Sequence, residues 1–405
     1  MRIAMISEHA SPLAELGGPD AGGQNTHVAE LAAALADQGH DVHVYTRRDQ
    51  PHQGPVVPMR DGVSVLHVPA GPPEPVPKDE LLPYMADFGR WLARHWQDGL
   101  WRPDVAHAHF WMSGLATLVA GRQSGVPVVQ TYHALGTVKR RHQGAADTSP
   151  PQRIRYERML GRGVDRVVAQ CRDEVAELTR MGVPRSAISV VPSGVNPDVF
   201  TPDGSAVSRE PGRPRLLGVG RLVERKGFLD VVRALRMVPE AEYVLIGGPP
   251  AARLGEDGFA NRLRALAESE GVADRVRLVG AVPRAEMPRW YRSADILVAT
   301  PWYEPFGLTP LEAMACGVPV LGTAVGGLTD TVVPGLTGDL VPPRDPETLG
   351  AVLRHLLADS DRRHRYGLAA VERIRTGYSW TRTAARLGAV YTAVCGTPQT
   401  SGAVA

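Results

Sequence analysis

Hydrophobic and polar positions along this chain alternate between two periods. Short apolar runs, "RIAMIS", "DVHVYTR", "VSVLHVP", "DVAHAHF", "PVVQTYH", "RVVAQ" and "ISVVPSG", read as strands. Between most of them lie runs with helical spacing, such as "NTHVAELAAALADQG" and "KDELLPYMADFGRWLARHW". Apolar strands alternating with amphipathic helices predict a parallel sheet covered on both faces. "VNPDVFTPDGSAVSREPGRP" breaks the rhythm with Pro, Gly, Ser and Asp and reads as a linker. The pattern then restarts with "RLLGVGRL", "AEYVLIGG", "VRLVG", "ADILVAT" and "PVLGT", each followed by a helical run. The fold class expected is α/β, with two doubly wound Rossmann-like domains. The boundaries expected are 1–196 for the first domain, 197–212 for the linker and 213–377 for the second domain. A helix over 378–395 is expected to cross back to the first domain, and 396–405 to form a flexible tail.

The length of 405 residues agrees with two cores rather than one. Charge is nearly balanced, 45 basic against 43 acidic residues, which gives no reason to expect nucleic acid as a partner. No apolar run approaches the ~20 residues of a membrane span, so no stable membrane insertion is expected. The start, "MRIAMISEHASP", lacks a signal-peptide core. The cysteines Cys171, Cys316 and Cys395 form neither a metal spacing nor a disulfide framework, which points to a reducing cytoplasm. Basic residues are almost all arginine. Lys78, Lys139 and Lys226 stand out as compact point charges that an Arg fork does not copy.

In doubly wound sheets ligands bind beyond the carboxyl ends of the strands, and two such domains facing each other make a cleft. The segments at those ends therefore carry the candidate chemistry. After the first strand, "GGPDAGGQNTHV" supplies glycines for close backbone approach, and Asn25 or Thr26 as a helix cap whose free N–H groups would attract an anion. His107 and His109 share one face of a strand. They could pair on a metal, but no third ligand stands at a telling spacing, so no metal is expected. His133 ends a strand and is placed to hydrogen-bond a ligand. A polar loop with Lys139, Arg140, Arg141, His142, Arg153 and Arg155 follows and could receive a phosphate. In the second half Arg221 and Lys226 follow a strand in "GVGRLVERKG" and could neutralise a pyrophosphate. "EPFGLTPLEAMACG" holds Glu304 and Glu312 around a helix start. Thr309 reads as N-cap, Pro310 as the first helical residue and Glu312 as the acid of a capping box. Amides near Gly307 and Leu308 would point at a phosphate, and the two carboxylates could accept from sugar hydroxyls on either side.

Taken together, "EPFGLTPLE", "GVGRLVERKG" and "AVGGLTDTV" resemble the marks of the retaining nucleotide-sugar glycosyltransferases of family 4, which have the GT-B fold. The resemblance runs from residue 1 to about 395. It implies a hexosyltransferase in which Glu304 contacts the donor sugar, Glu312 the ribose, and Arg221 and Lys226 the donor phosphates. It also implies His133 close to the reacting sugar. Gly23, Val282, Phe306, Gly307 and Leu308 complete the implied donor set. Within the family, "EHASPL", "PDAGGQN", "GPPEPVPKDEL", "HAHFWMSG" and "SPPQR" are similar to the inositol-phosphate glycosyltransferases of mycothiol synthesis. "DAGGQ" and "HALGTVK" are similar to sucrose-phosphate synthases as well. By that similarity His9, Asp20, Ala21, Gly22, Gly23, Gln24, Asn25, Lys78, Phe110, His133 and Arg153 would line an acceptor site. Phe110 and Ala134 stand where the mycothiol enzymes carry Tyr and Thr, and two lost hydroxyls argue for a different acceptor. Lys78 and Arg153 keep a phosphorylated polyol or sugar acceptor open. No carboxylate nucleophile is evident, and the resemblance implies same-face attack assisted by the leaving phosphate. No cofactor is required beyond the donor, for which a UDP-sugar is favoured over a GDP-sugar, and a homodimer is allowed. The rivals are a sugar-nucleotide epimerase on the same fold and a nucleotide-sugar-binding protein without turnover.

Overall fold

The computed structural model describes residues 1–14 and 22–396. Within them the chain divides into two compact units. Among the described residues the first takes Met1–Ala14, Gly23–Pro192 and Trp380–Gly396, and the second takes Gly22 and Ser193–Ser379. The predicted tail falls almost wholly outside the described residues.

The first unit is built on eight strands: β1 Arg2–Ile6, β2 Asp41–Arg47, β3 Val56–Arg60, β4 Val63–Val68, β5 Val105–His109, β6 Val128–Thr131, β7 Arg166–Ala169 and β8 Ile188–Val190. They stand in the order β3-β4-β2-β1-β5-β6-β7-β8. All neighbours are parallel except β3 and β4, which are antiparallel. The edge strand β3 was not anticipated. Its residues alternate between exposed and half-exposed, and it contains Pro58, which a central strand would not tolerate. The long helix expected from Lys78 is broken. Pro83 lies in the 3-10 turn Leu82–Tyr84, and the α-helix runs only over Met85–Asp98. A proline removes the interior hydrogen bond that a continuous helix would need.

Two further expectations about helix starts are corrected. The first helix begins at Gly23, ahead of Asn25 and Thr26, so neither caps it; both are buried inside it. Asn25 Nδ2 instead donates to the Ser11 carbonyl at 3.0 Å. The expected basic loop is in large part a helix, Gly136–Gln143. Its first amide, Gly136 N, donates to both oxygens of the Glu157 carboxylate at 3.0 and 2.9 Å, which suits the positive end of a helix.

The second unit is an all-parallel sheet of six strands: β9 Arg215–Val219, β10 Glu242–Ile246, β11 Val276–Gly280, β12 Ile296–Ala299, β13 Val320–Thr323 and β14 Gly338–Val341. Their order is β11-β10-β9-β12-β13-β14. The order reverses between β9 and β12. Both faces are buried, so alternate residues of one strand enter different cores. Leu216, Tyr243, Leu245, Ile296 and Val298 pack on one side, and Leu217, Val244, Ile246 and Leu297 on the other. This is why these strands read as continuous apolar runs. The strand β14 was not anticipated, because "GDLV" begins with Gly and Asp.

Candidate active site

In the second unit three loops meet at the carboxyl ends of β9, β12 and β13. The first carries Lys226 in the turn Glu224–Lys226, and the second carries Glu304. Lys226 Nζ and Glu304 Oε2 are 2.5 Å apart, and their side chains are only 18% and 16% exposed. Burial would raise the Glu304 carboxyl. The charges of Lys226, Arg225 and Arg221 overcome it and hold the group below the ordinary carboxylate range. Burial pulls the Lys226 ammonium down from the lysine range, against the opposing pull of Glu304. Arg221 therefore joins the same electrostatic cluster. Val219, Lys226, Thr300, Glu304, Thr309 and Leu328 all line one small hollow.

Two glycines explain why the loops can meet. Gly227 has φ +70°, and a Cβ there would lie 1.9 Å from the Thr300 carbonyl oxygen. Gly326 has φ +47°, and a Cβ there would lie 2.0 Å from the Glu304 carbonyl oxygen. The neighbouring Gly327 amide donates to that same Glu304 carbonyl at 3.0 Å. The "AVGGLTDTV" loop thus presses its backbone against the segment that carries the first glutamate.

The helix after that segment is Leu308–Ala315, and its N-cap is Gly307 with φ 92°. This corrects the expected cap at Thr309 and the capping box. The turn needs a positive φ at the cap, so glycine takes the position and no side chain caps the helix. Glu312 then turns to other partners. Its carboxylate accepts from Arg284 Nη1 at 2.8 Å and from the Tyr291 hydroxyl at 2.7 Å. Neither partner was singled out from the sequence, where 28 and 21 residues separate them from the acid. Phe306 is buried in the same unit, while Leu308 and Val282 pack half-buried against its core.

The first unit gathers most of the other expected residues at the ends of β1, β5 and β6. His9 Nδ1 lies 2.7 Å from Glu8 Oε1, and its ring meets Phe110 edge-on at 4.9 Å. Gln24 Nε2 donates to the Ser7 hydroxyl and the His109 carbonyl, each at 3.2 Å. The Arg153 guanidinium lies 5.1 Å from the Phe110 ring centre. It is 3% exposed, and it donates to Glu157 at 2.8 Å, Ser149 at 3.1 Å and the Ala134 carbonyl at 2.6 Å. Phe110 and His133 both hold positive φ, 83° and 60°, which is uncommon for residues other than glycine and clusters at functional sites. His109 Nδ1 and His133 Nε2 are 2.9 Å apart. His27 was not singled out from the sequence, yet its ring lies 4.8 Å from that of His133. No spacing rule joins a helix residue to a strand end more than eighty residues away.

Other expected residues are held elsewhere. Lys78 opens the turn Lys78–Glu80 and is half-buried. Lys139 pairs with Asp147 at 3.0 Å, and Arg141 with Glu177 at 2.6 Å. Gly22 and Gly23 stand at the start of the first helix, whereas Asp20 and Ala21 lie outside the described residues.

Comparison with known proteins gives this arrangement its context. The family described as Glycosyltransferase Family 4 matches residues 21–199, and Glycosyl transferases group 1 matches residues 204–373. The D-inositol 3-phosphate glycosyltransferase of Xylanimonas cellulosilytica is 38% identical, over 96% of this chain and 96% of its own. That of Thermobispora bispora is 37% identical, over 96% and 94%. Among solved structures, sucrose-phosphate synthase from Thermosynechococcus elongatus superposes with a TM-score of 0.88 at 30% identity, covering 97% of this chain and 98% of that one. Anabaena HepE, solved with UDP and glucose, shares the fold at 17% identity with a TM-score of 0.73, over 96% and 99%. With two Rossmann-like sheets, and relatives this similar over nearly their whole length, the chain belongs to the GT-B glycosyltransferase family that includes the D-inositol 3-phosphate glycosyltransferases.

Proposed function

We propose that this enzyme moves a hexosyl group from a nucleoside diphosphate sugar, UDP-sugar before GDP-sugar, to a hydroxyl of a small phosphorylated polyol or sugar. The reading includes retention at the anomeric carbon, as in family 4, and action in the cytoplasm without a required cofactor. The observation that carries it is the buried Lys226–Glu304 pair beside the start of the helix Leu308–Ala315. A cation and a helix N-terminus suit a pyrophosphate, and carboxylates on either side suit sugar hydroxyls.

The chemistry follows from these groups. Lys226 has three N–H donors, so it can hold Glu304 and a phosphate oxygen together. Arg221, Lys226 and the first amides of the helix stabilise charge as the C1–O bond to the diphosphate breaks. Glu304 orients the donor sugar, and Glu312, fixed by Arg284 and Tyr291, receives the ribose hydroxyls. The likeness to family 4 assigns His133 to the reacting sugar. The acceptor oxygen bonds to C1 on the face the diphosphate leaves, and a phosphate oxygen of the leaving group takes the acceptor proton. His9, Gln24, Asn25, Lys78, Phe110 and Arg153 form the acceptor side. Arg153, engaged by Glu157, Ser149 and Ala134, acts there chiefly by fixing Phe110 and the backbone at Ala134.

The test is consumption of a panel of UDP-, GDP- and ADP-sugars with inositol phosphates and hexose phosphates as acceptors. Anomeric configuration is read by NMR, and Glu304→Ala is the control. One donor consumed, one acceptor glycosylated with retention and a dead variant are expected. An inverted product overturns the retaining mechanism, and a fully active Glu304→Ala overturns the site.

A further inference from the structure

His27, His109 and His133 each offer a ring nitrogen, and these nitrogens all lie within 4.8 Å of one another. They come from three elements of the first unit: the helix Gly23–Asp37, the end of β5, and the turn after β6. The ring centres of His27 lie 5.5 Å from His109 and 4.8 Å from His133. His107, the next imidazole on β5, differs. Its two nitrogens are engaged by the Tyr391 hydroxyl at 2.7 Å and the Thr131 hydroxyl at 2.8 Å. His109 Nδ1 faces His133, and among the described residues its buried Nε2 has no hydrogen-bond partner.

The chemistry of the cluster is specific. Imidazole nitrogens are ligands for zinc-class ions, whereas Mg²⁺ and Ca²⁺ want oxygen, which this set does not supply. Tetrahedral Zn–N bonds of about 2.0–2.1 Å put ligand nitrogens roughly 3.4 Å apart, so the rings need draw in by at most roughly 1.4 Å. Three protein nitrogens leave the fourth position to water. The Gln170 side-chain amide nitrogen lies 3.4 Å from His27 Nδ1. His133, the partly exposed member of the three, gives an ion its way in.

We propose that His27, His109 and His133 form a three-imidazole site for a divalent zinc-class ion, and that occupancy switches transfer off. An ion on these nitrogens replaces the contact between His109 and His133 and ties the His133 ring up as a ligand. The inhibitory half rests on the role given to His133 above, whereas the site itself does not.

The experiment uses the full-length protein after chelation, titrated with ZnCl2 in a calorimeter and with CoCl2 in a spectrophotometer. One ion per chain and the visible bands of tetrahedral Co²⁺ are expected. X-ray absorption of the zinc form of the wild type should give imidazole nitrogen and no sulfur, a readout that depends on no variant. His27→Gln should abolish binding, while Cys395→Ser, at the exposed thiol, should keep it. Zinc should inhibit transfer by the wild type, and His27→Gln should keep its turnover while becoming at least tenfold less sensitive to zinc. Absence of stoichiometric binding, sulfur in the coordination shell, or binding that survives both His27→Gln and His109→Gln overturns the site. Binding through the three rings with unchanged transfer overturns the inhibitory half and, with it, the role of His133.

Discussion

At the scale of single residues, buried ionisable groups decide most of the behaviour. Lys226 and Glu304 are each mostly buried and each answer the other's charge. Lys226→Met should lower kcat/KM by about 10²–10³-fold, the loss typical of removing one group that stabilises developing charge. Lys226→Arg should recover little of it, since a planar fork does not reproduce a point charge. Steady-state kinetics with the donor varied reads both. Glu174 makes a different case. Burial raises its carboxyl to about 7, against the opposing hydrogen bond from the Gln170 amide. Between pH 4.5 and about 7 the folded state therefore holds a proton that the unfolded chain releases. Stability from this group is complete below about pH 4 and is lost as pH rises toward 7, in all by about 3 kcal/mol. Glu174→Gln should flatten that part of the profile and stabilise the protein at pH 8. Urea denaturation of both forms across pH 4–8 checks it.

At the scale of elements, the site depends on backbone passing close to backbone. The Gly326–Gly327 step lies against the 304–306 segment, with no room for a Cβ at Gly326. Gly326→Ala should displace Glu304 and abolish most activity, while circular dichroism and the unfolding midpoint change far less than kcat/KM. An unchanged kcat/KM would show that the contact does not hold the glutamate. The helix Leu308–Ala315 teaches a related lesson. "TPLE" satisfies the rule for a capping box, but the helix starts two residues earlier, after a glycine with positive φ. A local motif lost to the geometry of a tight turn. The helix Gly136–Gln143 lost the opposite way. Its composition reads as a loop, and the Glu157 carboxylate, supplied from a distant helix, starts it. No local pattern carries that partner.

At the scale of the whole molecule, each unit has its own core, and the chain returns to the first unit after finishing the second. The returning helix, Trp380–Gly396, buries Trp380, Leu387 and Tyr391, and Tyr391 also engages His107. Large apolar side chains are worth about 1.5–3 kcal/mol each when buried, and a domain has only about 5–15 kcal/mol in all. A chain ending at Ser379 should therefore lose the fold of the first unit and keep the second. Limited proteolysis followed by mass spectrometry reads this directly. A protected first unit would show that the return segment is dispensable.

What the chain determined by itself was its architecture and the positions of its chemistry. Short continuous apolar runs alternating with helical runs state a doubly wound fold, because burial on both faces of a parallel sheet favours apolar residues at most strand positions. Gly227, His133, Lys226 and Glu304 fall in the segments that follow strands, because that is where such sheets expose backbone to ligands. Tertiary structure alone decided which groups meet. It held Glu312 with Arg284 and Tyr291, wrapped Arg153 in partners, and brought His27 beside His109 and His133. Periodicity reports each residue's local face. It carries no information about which distant face will pack against it, since that is settled by the cores of the two units as they form.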